Sequence, residues 1–391
     1  MNKFEYNPIT LTQSLVKCAS ITPKDEGALD FIKSYLDNVG FKSEILKFSS
    51  LDSYDVKNLY ATIGENGKHL AFAGHTDVVP IGQESDWKYK PFNAEIKNGK
   101  LFGRGSEDMK SAIACFMNAS QRFINDNGKD FGGKISFIIT GDEERDAING
   151  TKKIMEWTKK NNIIIDDCIV GEPTSNKIVG DKIKIGRRGS TSFYIVVEGI
   201  QGHTANAQKA ENPIHHLVKI LNNIIANPLD EGNEYFLPSS LQIPTIDVGN
   251  TASNIIPQRV NATINIRFNN LHSADSLNVM IKNKIEEVVK NNPKIKYTLR
   301  QEITGESFLT KPNSLTNLVS SVCESVNGKK PIFATDGGTS DARFIKDYCQ
   351  VLEIGIVNDT LHKIDENVTL ENLVKLEDLY FRILNKYFNK I

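Results

Sequence analysis

Ala71-Phe72-Ala73-Gly74-His75-Thr76-Asp77-Val78-Val79-Pro80 is an apolar run that ends abruptly in a histidine, a threonine and an aspartate. So short a run reads as a buried strand, and this one delivers ionisable side chains at its tip. On an extended chain His75 and Asp77, two residues apart, point to the same side. An imidazole beside a carboxylate is the arrangement of a metal-ligating histidine held by a partner. The ordinary alternative is a surface turn in which Asp77 caps a helix.

Outward from this stretch the pattern is α/β. Helical spacing covers residues 9–19 and 28–39, where Leu29, Ile32, Leu36 and Val39 share a face and Gly40 suits the stop. Short strands follow near 42–48, 57–63, 69–74 and 100–102. A helix over 109–125 buries Ala112, Phe116, Ala119 and Phe123. Ile135-Ser136-Phe137-Ile138-Ile139 is apolar almost throughout, as in a sheet covered on both faces. A helix at 149–160 and a strand at 167–171 continue an alternation that predicts a mostly parallel sheet flanked by helices.

From residue 182 the style changes. Val260, Ala262, Ile264, Ile266 and Phe268 interleave with Asn261, Thr263, Asn265 and Arg267, the pattern of a half-buried sheet. Helices at 213–226 and 273–290 are placed to cover its apolar face. Residues 182–294 therefore read as an inserted α+β lid of roughly 110 residues. The first style returns with a helix at 314–326, a strand at 351–357 and a helix at 370–388. The large domain is thus discontinuous, 1–181 and 295–391, and the fold class is α/β with an inserted α+β domain.

The 391 residues carry a net charge of −1, so no global field recruits nucleic acid or an anionic membrane. No stretch approaches the ~20 apolar residues of a membrane span, and Met1–Glu5 lacks the apolar core of a signal peptide. Five scattered cysteines (Cys18, Cys115, Cys168, Cys323, Cys349) without a C-x-x-C pair read as reduced thiols of a cytoplasmic protein.

Four further stretches end a strand or tight turn in ionisable residues. Gly103-Arg104-Gly105-Ser106-Glu107-Asp108 leads into a helix, and Thr140-Gly141-Asp142-Glu143-Glu144 follows a buried strand. Val170-Gly171-Glu172-Pro173 and Asn358-Asp359-Thr360-Leu361-His362 complete the set. Each has a plain structural use: Asp108 as a helix cap, Glu143 and Glu144 as solvated loop charges, Glu172 as a lysine's partner, His362 as a loop histidine. Together they meet at the carboxyl ends of one sheet, where ligands bind in open α/β folds. Two imidazoles and three carboxylates suit Zn²⁺, Co²⁺ or Mn²⁺ better than Ca²⁺. Five ligands exceed the needs of one catalytic zinc and suit two metals sharing a carboxylate. A carboxylate off the metals is then needed to move protons, and Glu143 is the candidate.

This ordered set resembles the two-domain di-zinc amidohydrolases over essentially the whole chain. Gly186-Arg187-Arg188-Gly189-Ser190, Gln201-Gly202-His203, Asn254-Ile255-Ile256-Pro257, Gly337-Gly338-Thr339-Ser340-Asp341 and His362-Lys363-Ile364 extend the resemblance. It implies two Zn²⁺ per subunit, replaceable by Co²⁺ or Mn²⁺. His75, Asp108 and Glu172 would hold one, and Asp108, Glu144 and His362 the other. Asp77 would orient His75, and Glu143 would be the general acid/base. It also implies a homodimer formed through the lid, with His203 reaching the partner's site to stabilise an oxyanion. The implied reaction is hydrolysis of a linear amide in a small biosynthetic substrate with several carboxylates. Arg187 and Arg267 would bind those carboxylates, and Ser190, Asn254, Gly338, Thr339 and Asn358 would line the substrate. The chain departs from the family pattern at Ser106-Glu107, where two small residues are usual, at Asn206 in place of a tyrosine, and at Ala342 after Asp341. Two alternatives remain: another deacylase or dipeptidase of the same family, and a non-catalytic metal-stabilised binding protein.

Overall fold

The computed structural model describes residues 7–390. The chain forms two compact units, each with its own sheet. The first comprises Met1–Ile185, Thr310–Ala334 and Ser340–Ile391; the second comprises Gly186–Leu309 and Thr335–Thr339.

The first unit is built on an eight-stranded sheet. Its strands lie in the order Lys42–Ser50, Ser53–Gly64, Gly133–Thr140, Lys68–His75, Asp167–Val170, Gln350–Glu353, Lys182–Lys184 and Ile332–Ala334. The four central strands, from Gly133–Thr140 to Gln350–Glu353, are parallel. The two strands at the Lys42 edge run antiparallel. Ala71, Phe72 and Ala73 are completely buried, as a central strand requires. Both faces are covered. Phe72 stacks on Phe116 of the helix Ser111–Asn127, with ring centroids 4.4 Å apart, and Phe137 packs edge-on against the same ring. Tyr60 pairs with Ile138 and so projects from the opposite face, where it meets Trp157 of the helix Thr151–Lys160.

Local signals behave as the spacing predicts in several places. The helix Ala28–Val39 buries Leu29, Ile32 and Leu36 and stops at Gly40, which adopts the left-handed conformation open to glycine. The helix expected over 109–125 begins later, at Ser111. Residues Ser106–Lys110 form a wide π-type turn instead, and Asp108 within it is extended, at φ −120° and ψ 99°. Asp108 therefore caps no helix. The strand expected over 351–357 ends at Glu353, and the following residues continue beside the first unit's sheet through a single bridge from Val357 to Ser175.

The second unit holds a four-stranded antiparallel sheet in the order Ser240–Asp247, Arg259–Phe268, Gly189–Glu198 and Lys296–Gly305. Its apolar face, with Phe193, Ile195, Val197, Val260, Ile264 and Ile266, packs against Leu217, Ile220, Leu277 and Ile281 of two helices, Pro213–Ile225 and Ala274–Asn291. The chain returns to the first unit at Thr310 rather than at residue 295, because Lys296–Gly305 pairs with Gly189–Glu198. The second unit starts at Gly186 rather than at 182, because Lys182–Lys184 pairs with Ile332–Ala334 in the first unit's sheet. Among the described residues no helix is long and apolar enough to cross a membrane.

Candidate metal centre

Parallel pairing brings the strand ends to one edge of the first unit. His75 ends its strand opposite Thr140, just before Glu143 and Glu144, and Ala73 lies opposite Val170, just before Glu172. Asp108 sits between two imidazoles. Its Oδ1 is 3.1 Å from Nε2 of His75, and its Oδ2 is 3.1 Å from Nε2 of His362. Glu172 Oε1 stands 3.9 Å from His75 Nε2, and Glu144 Oε1 stands 3.1 Å from His362 Nε2. Ligand atoms of His75, Asp108 and Glu144 all fall within 4.8 Å of one another. Donors about 2.1 Å from one tetrahedral ion are separated by about 3.4 Å. The spacing on both sides of Asp108 therefore fits ions shared through its carboxylate.

The electrostatics fit cations as well. Burial, joined by Glu172, Asp341 and Glu144, pushes the Glu143 carboxyl well above the usual carboxylate range, although His75 pulls the other way. Glu144 is raised too, chiefly by burial. Burial opposes protonation of His75, but Asp108, Glu143 and Asp77 outweigh it and the net shift is strongly upward. Hydrogen bonds to Asp108 and Glu144 lift His362 to about 10. So many carboxylates in one desolvated cluster are costly unless positive charge is brought to them.

Asp77 acts differently from the sequence expectation. His75 Nδ1 lies 2.9 Å from the backbone carbonyl of Asp77, whereas the Asp77 carboxylate is 3.7 Å away. A donor Nδ1 leaves Nε2 as the nitrogen with a lone pair, so the ring is still oriented for a ligand's role. The chain leaves the strand at His75, which is why the carboxylate two residues on does not follow the strand's side-chain alternation. That carboxylate instead accepts the backbone N–H of Glu143, at 3.2 Å to each oxygen, the N–H of Glu144 at 3.1 Å and the hydroxyl of Thr22 at 2.8 Å. The rest of the Glu143 loop is closed by Asp142, which accepts the N–H groups of Ala147, Ile148 and Asn149 and the hydroxyl of Tyr54.

Sequence reasoning missed Glu366. It is fully buried and receives the N–H groups of Glu107 and Asp108 and the guanidinium of Arg104. An acid four residues after His362 was the available signal. Asn358 belongs to the same unit and donates through Nδ2 to the carbonyl of Pro173, beside Glu172.

The remaining expected site residues belong to the second unit. Arg187 is buried and donates to the carbonyl of Gly338 at 3.1 Å. Ser190 and Arg267 are paired in register, so they share a face of the sheet. Arg267 is half-buried, and desolvation, with the neighbouring charge of Arg188, lowers its pKa. Asn254 is exposed, and its carbonyl accepts the N–H of Thr204. Thr339 adjoins Gly338 at the end of the second unit's short Thr335–Thr339 segment. His203 is exposed, and its Nδ1 accepts the N–H of Ala205 at 3.0 Å. The proton of the neutral ring then sits on Nε2, which makes that nitrogen a donor.

Residues 71–386 match the family model described as peptidase family M20/M25/M40. The chain belongs to this family.

M20 relatives are similar over full length. A succinyl-diaminopimelate desuccinylase of Parvibaculum lavamentivorans is 45% identical over 98% of this chain and 96% of its own. One of Ehrlichia canis is 46% identical over 98% and 99%. The fold is shared with an M20 metallo-carboxypeptidase of Sulfolobus solfataricus, at TM-score 0.77 and 17% identity over the whole of both chains. It is also shared with a dinuclear metal-binding M20 peptidase of Bacillus subtilis, at TM-score 0.70 and 14% identity over 98% of each. The chain is thus an M20 hydrolase with a candidate metal site at the tips of its central strands.

Proposed function

We propose that this M20 hydrolase cleaves the amide of N-succinyl-LL-2,6-diaminopimelate with water, giving succinate and LL-2,6-diaminopimelate, a step toward lysine. The observation that carries the reading is the Asp108 carboxylate, with one oxygen on His75 and the other on His362. The full-length similarity to two desuccinylases supports the choice of substrate.

His75, Asp108 and Glu172 would hold one Zn²⁺, and Asp108, Glu144 and His362 a second, with Co²⁺ or Mn²⁺ able to replace them. Bound there, the ions acidify a water and polarise the amide carbonyl. Glu143 takes the proton from the attacking water and delivers it to the amine nitrogen as the C–N bond breaks. Asp77 fixes the Glu143 backbone while that carboxyl changes its protonation. Arg187 and Arg267 bind substrate carboxylates as fixed guanidinium groups, and Ser190, Asn254, Gly338, Thr339 and Asn358 line the substrate. The enzyme works as a cytoplasmic homodimer formed through the second unit, in which His203 of the partner subunit donates through Nε2 to the developing oxyanion. Its Nδ1 contact with Ala205 supports that tautomer.

The test is hydrolysis of N-succinyl-LL-2,6-diaminopimelate by chelator-stripped and zinc-restored protein. Succinate release that is lost on stripping and regained with zinc supports the reading. Equal release by both preparations, or none by either, refutes it.

A further inference from the structure

His362 differs from the other expected ligands. Its side chain is 43% exposed, whereas that of His75 is 1% exposed. Its backbone adopts φ 59°, the left-handed region that a non-glycine residue enters at a cost. Such a ligand holds its place only if neighbouring groups fix the loop.

Three buried side chains of the first unit do so from both ends. The Glu107 carboxylate accepts the N–H of Thr360 at 2.7 Å and its hydroxyl at 2.6 Å. The same hydroxyl oxygen accepts the N–H of Asn367 at 3.0 Å, which ties the start of the loop to its end. Glu366 reaches back, accepting the N–H of Glu107 at 2.8 Å and that of Asp108 at 3.2 Å. Arg104 pairs with Glu366 at 2.6 Å and donates to the carbonyls of His362 and Lys363 at 3.4 and 3.3 Å. Glu107 and Glu366 are 1% and 0% exposed. The turn carrying Asp108 and the loop carrying His362 are thereby clasped by reciprocal carboxylate bonds. Glu107 is also one of the positions where the sequence departs from the small residues usual before this aspartate.

We infer that Glu107 is a positioning residue for His362: acting through Thr360, it sets the affinity of the metal position to which His362 contributes. The position built on His75 and Glu172 does not depend on it. The inference rests on reading Asp108 as a ligand shared by two ions. Outer partners of metal ligands set affinity by about 10- to 100-fold, so the effect falls on metal binding before it reaches turnover.

The test is titration of the metal-stripped full chain with Co²⁺ alone, read by calorimetry and by the visible absorption of bound cobalt. The parent should bind two ions, and His362→Ala identifies which step belongs to His362. Thr360→Val and Glu107→Ala should weaken that step about 10- to 100-fold and leave the other unchanged. Thr360→Ser keeps the hydroxyl and should bind as the parent does. Thr360→Val removes only one hydroxyl from the loop, so it remains informative if Glu107→Ala does not fold. Unchanged affinity at the His362 step in Thr360→Val overturns the inference, as does equal weakening of both steps. A parent that binds only one ion overturns the two-metal reading itself, before any variant is measured.

Discussion

Both carboxylate oxygens of Asp77 lie 3.2 Å from the backbone nitrogen of Glu143. The residue that turns the chain out of the His75 strand therefore also holds the loop of the proposed base. Asp77→Ala removes this anchor and leaves the carbonyl that meets His75 Nδ1 in place. It should lower kcat by about 10- to 100-fold even at saturating metal. Loss of bound metal without a kcat effect in the metal-saturated variant would show that Asp77 serves His75 instead.

Glu143→Ala removes the proposed proton carrier but none of the five expected ligands. Single-turnover rates should fall by about 10²–10⁴-fold with metal stoichiometry unchanged. Near-normal rates in a metal-loaded Glu143→Ala protein would exclude Glu143 as the base.

Asp341 gives a pH-dependent stability. Burial raises its pKa to about 6, although Arg343 and the Thr151 hydroxyl, 2.6 Å away, favour the ionised form. An unfolded aspartate titrates near 3.9. The folded protein therefore binds this proton more tightly, and the associated stability, full below about pH 4, is lost as the pH rises through about 6. Asp341→Asn does not titrate. In thermal melts of metal-free protein, the parent's midpoint should drop relative to the variant's between about pH 4 and 7. A constant difference across that range would mean the shift is absent.

Gly171 is required by close packing rather than by an unusual backbone. A Cβ there would lie 2.6 Å from Phe72 Cζ, 2.7 Å from Met109 Cε and 2.9 Å from Ala112 Cβ. Gly171→Ala should destabilise the protein by about 1–3 kcal/mol through overpacking. Because Glu172 follows directly, it should weaken metal binding as well. Denaturant midpoints and a metal titration read the two effects separately.

The features legible in the sequence are those carried by periodicity and by strand ends. The Leu29-Ile32-Leu36 face, the stop at Gly40 and the buried Ile135–Ile139 run each follow from local spacing. The gathering of His75, Glu144 and Glu172 follows from parallel strands ending together, whereas Asp108 depends on an irregular turn that spacing reads as helix and His362 on a loop well past the end of its strand. Features set by contacts between distant backbone groups were not legible. The bond from Asp77 to Glu143 requires knowing that the chain leaves its strand at His75. The role of Glu366 depends on N–H groups of Glu107 and Asp108, far away in sequence. The return at Thr310 depends on which sheet accepts the strand Lys296–Gly305, since its own alternation would serve either.

The proposed reaction is hydrolysis of a succinylated diamino acid. It is tested most directly by comparing kcat/KM of the zinc-loaded enzyme on N-succinyl-LL-2,6-diaminopimelate and on N-acetylornithine. A preference of at least about a hundredfold for the succinyl substrate is expected, since the guanidinium groups proposed to bind its carboxylates, those of Arg187 and Arg267, would be left unpaired by the smaller substrate. Equal rates, or a preference for N-acetylornithine, would contradict it.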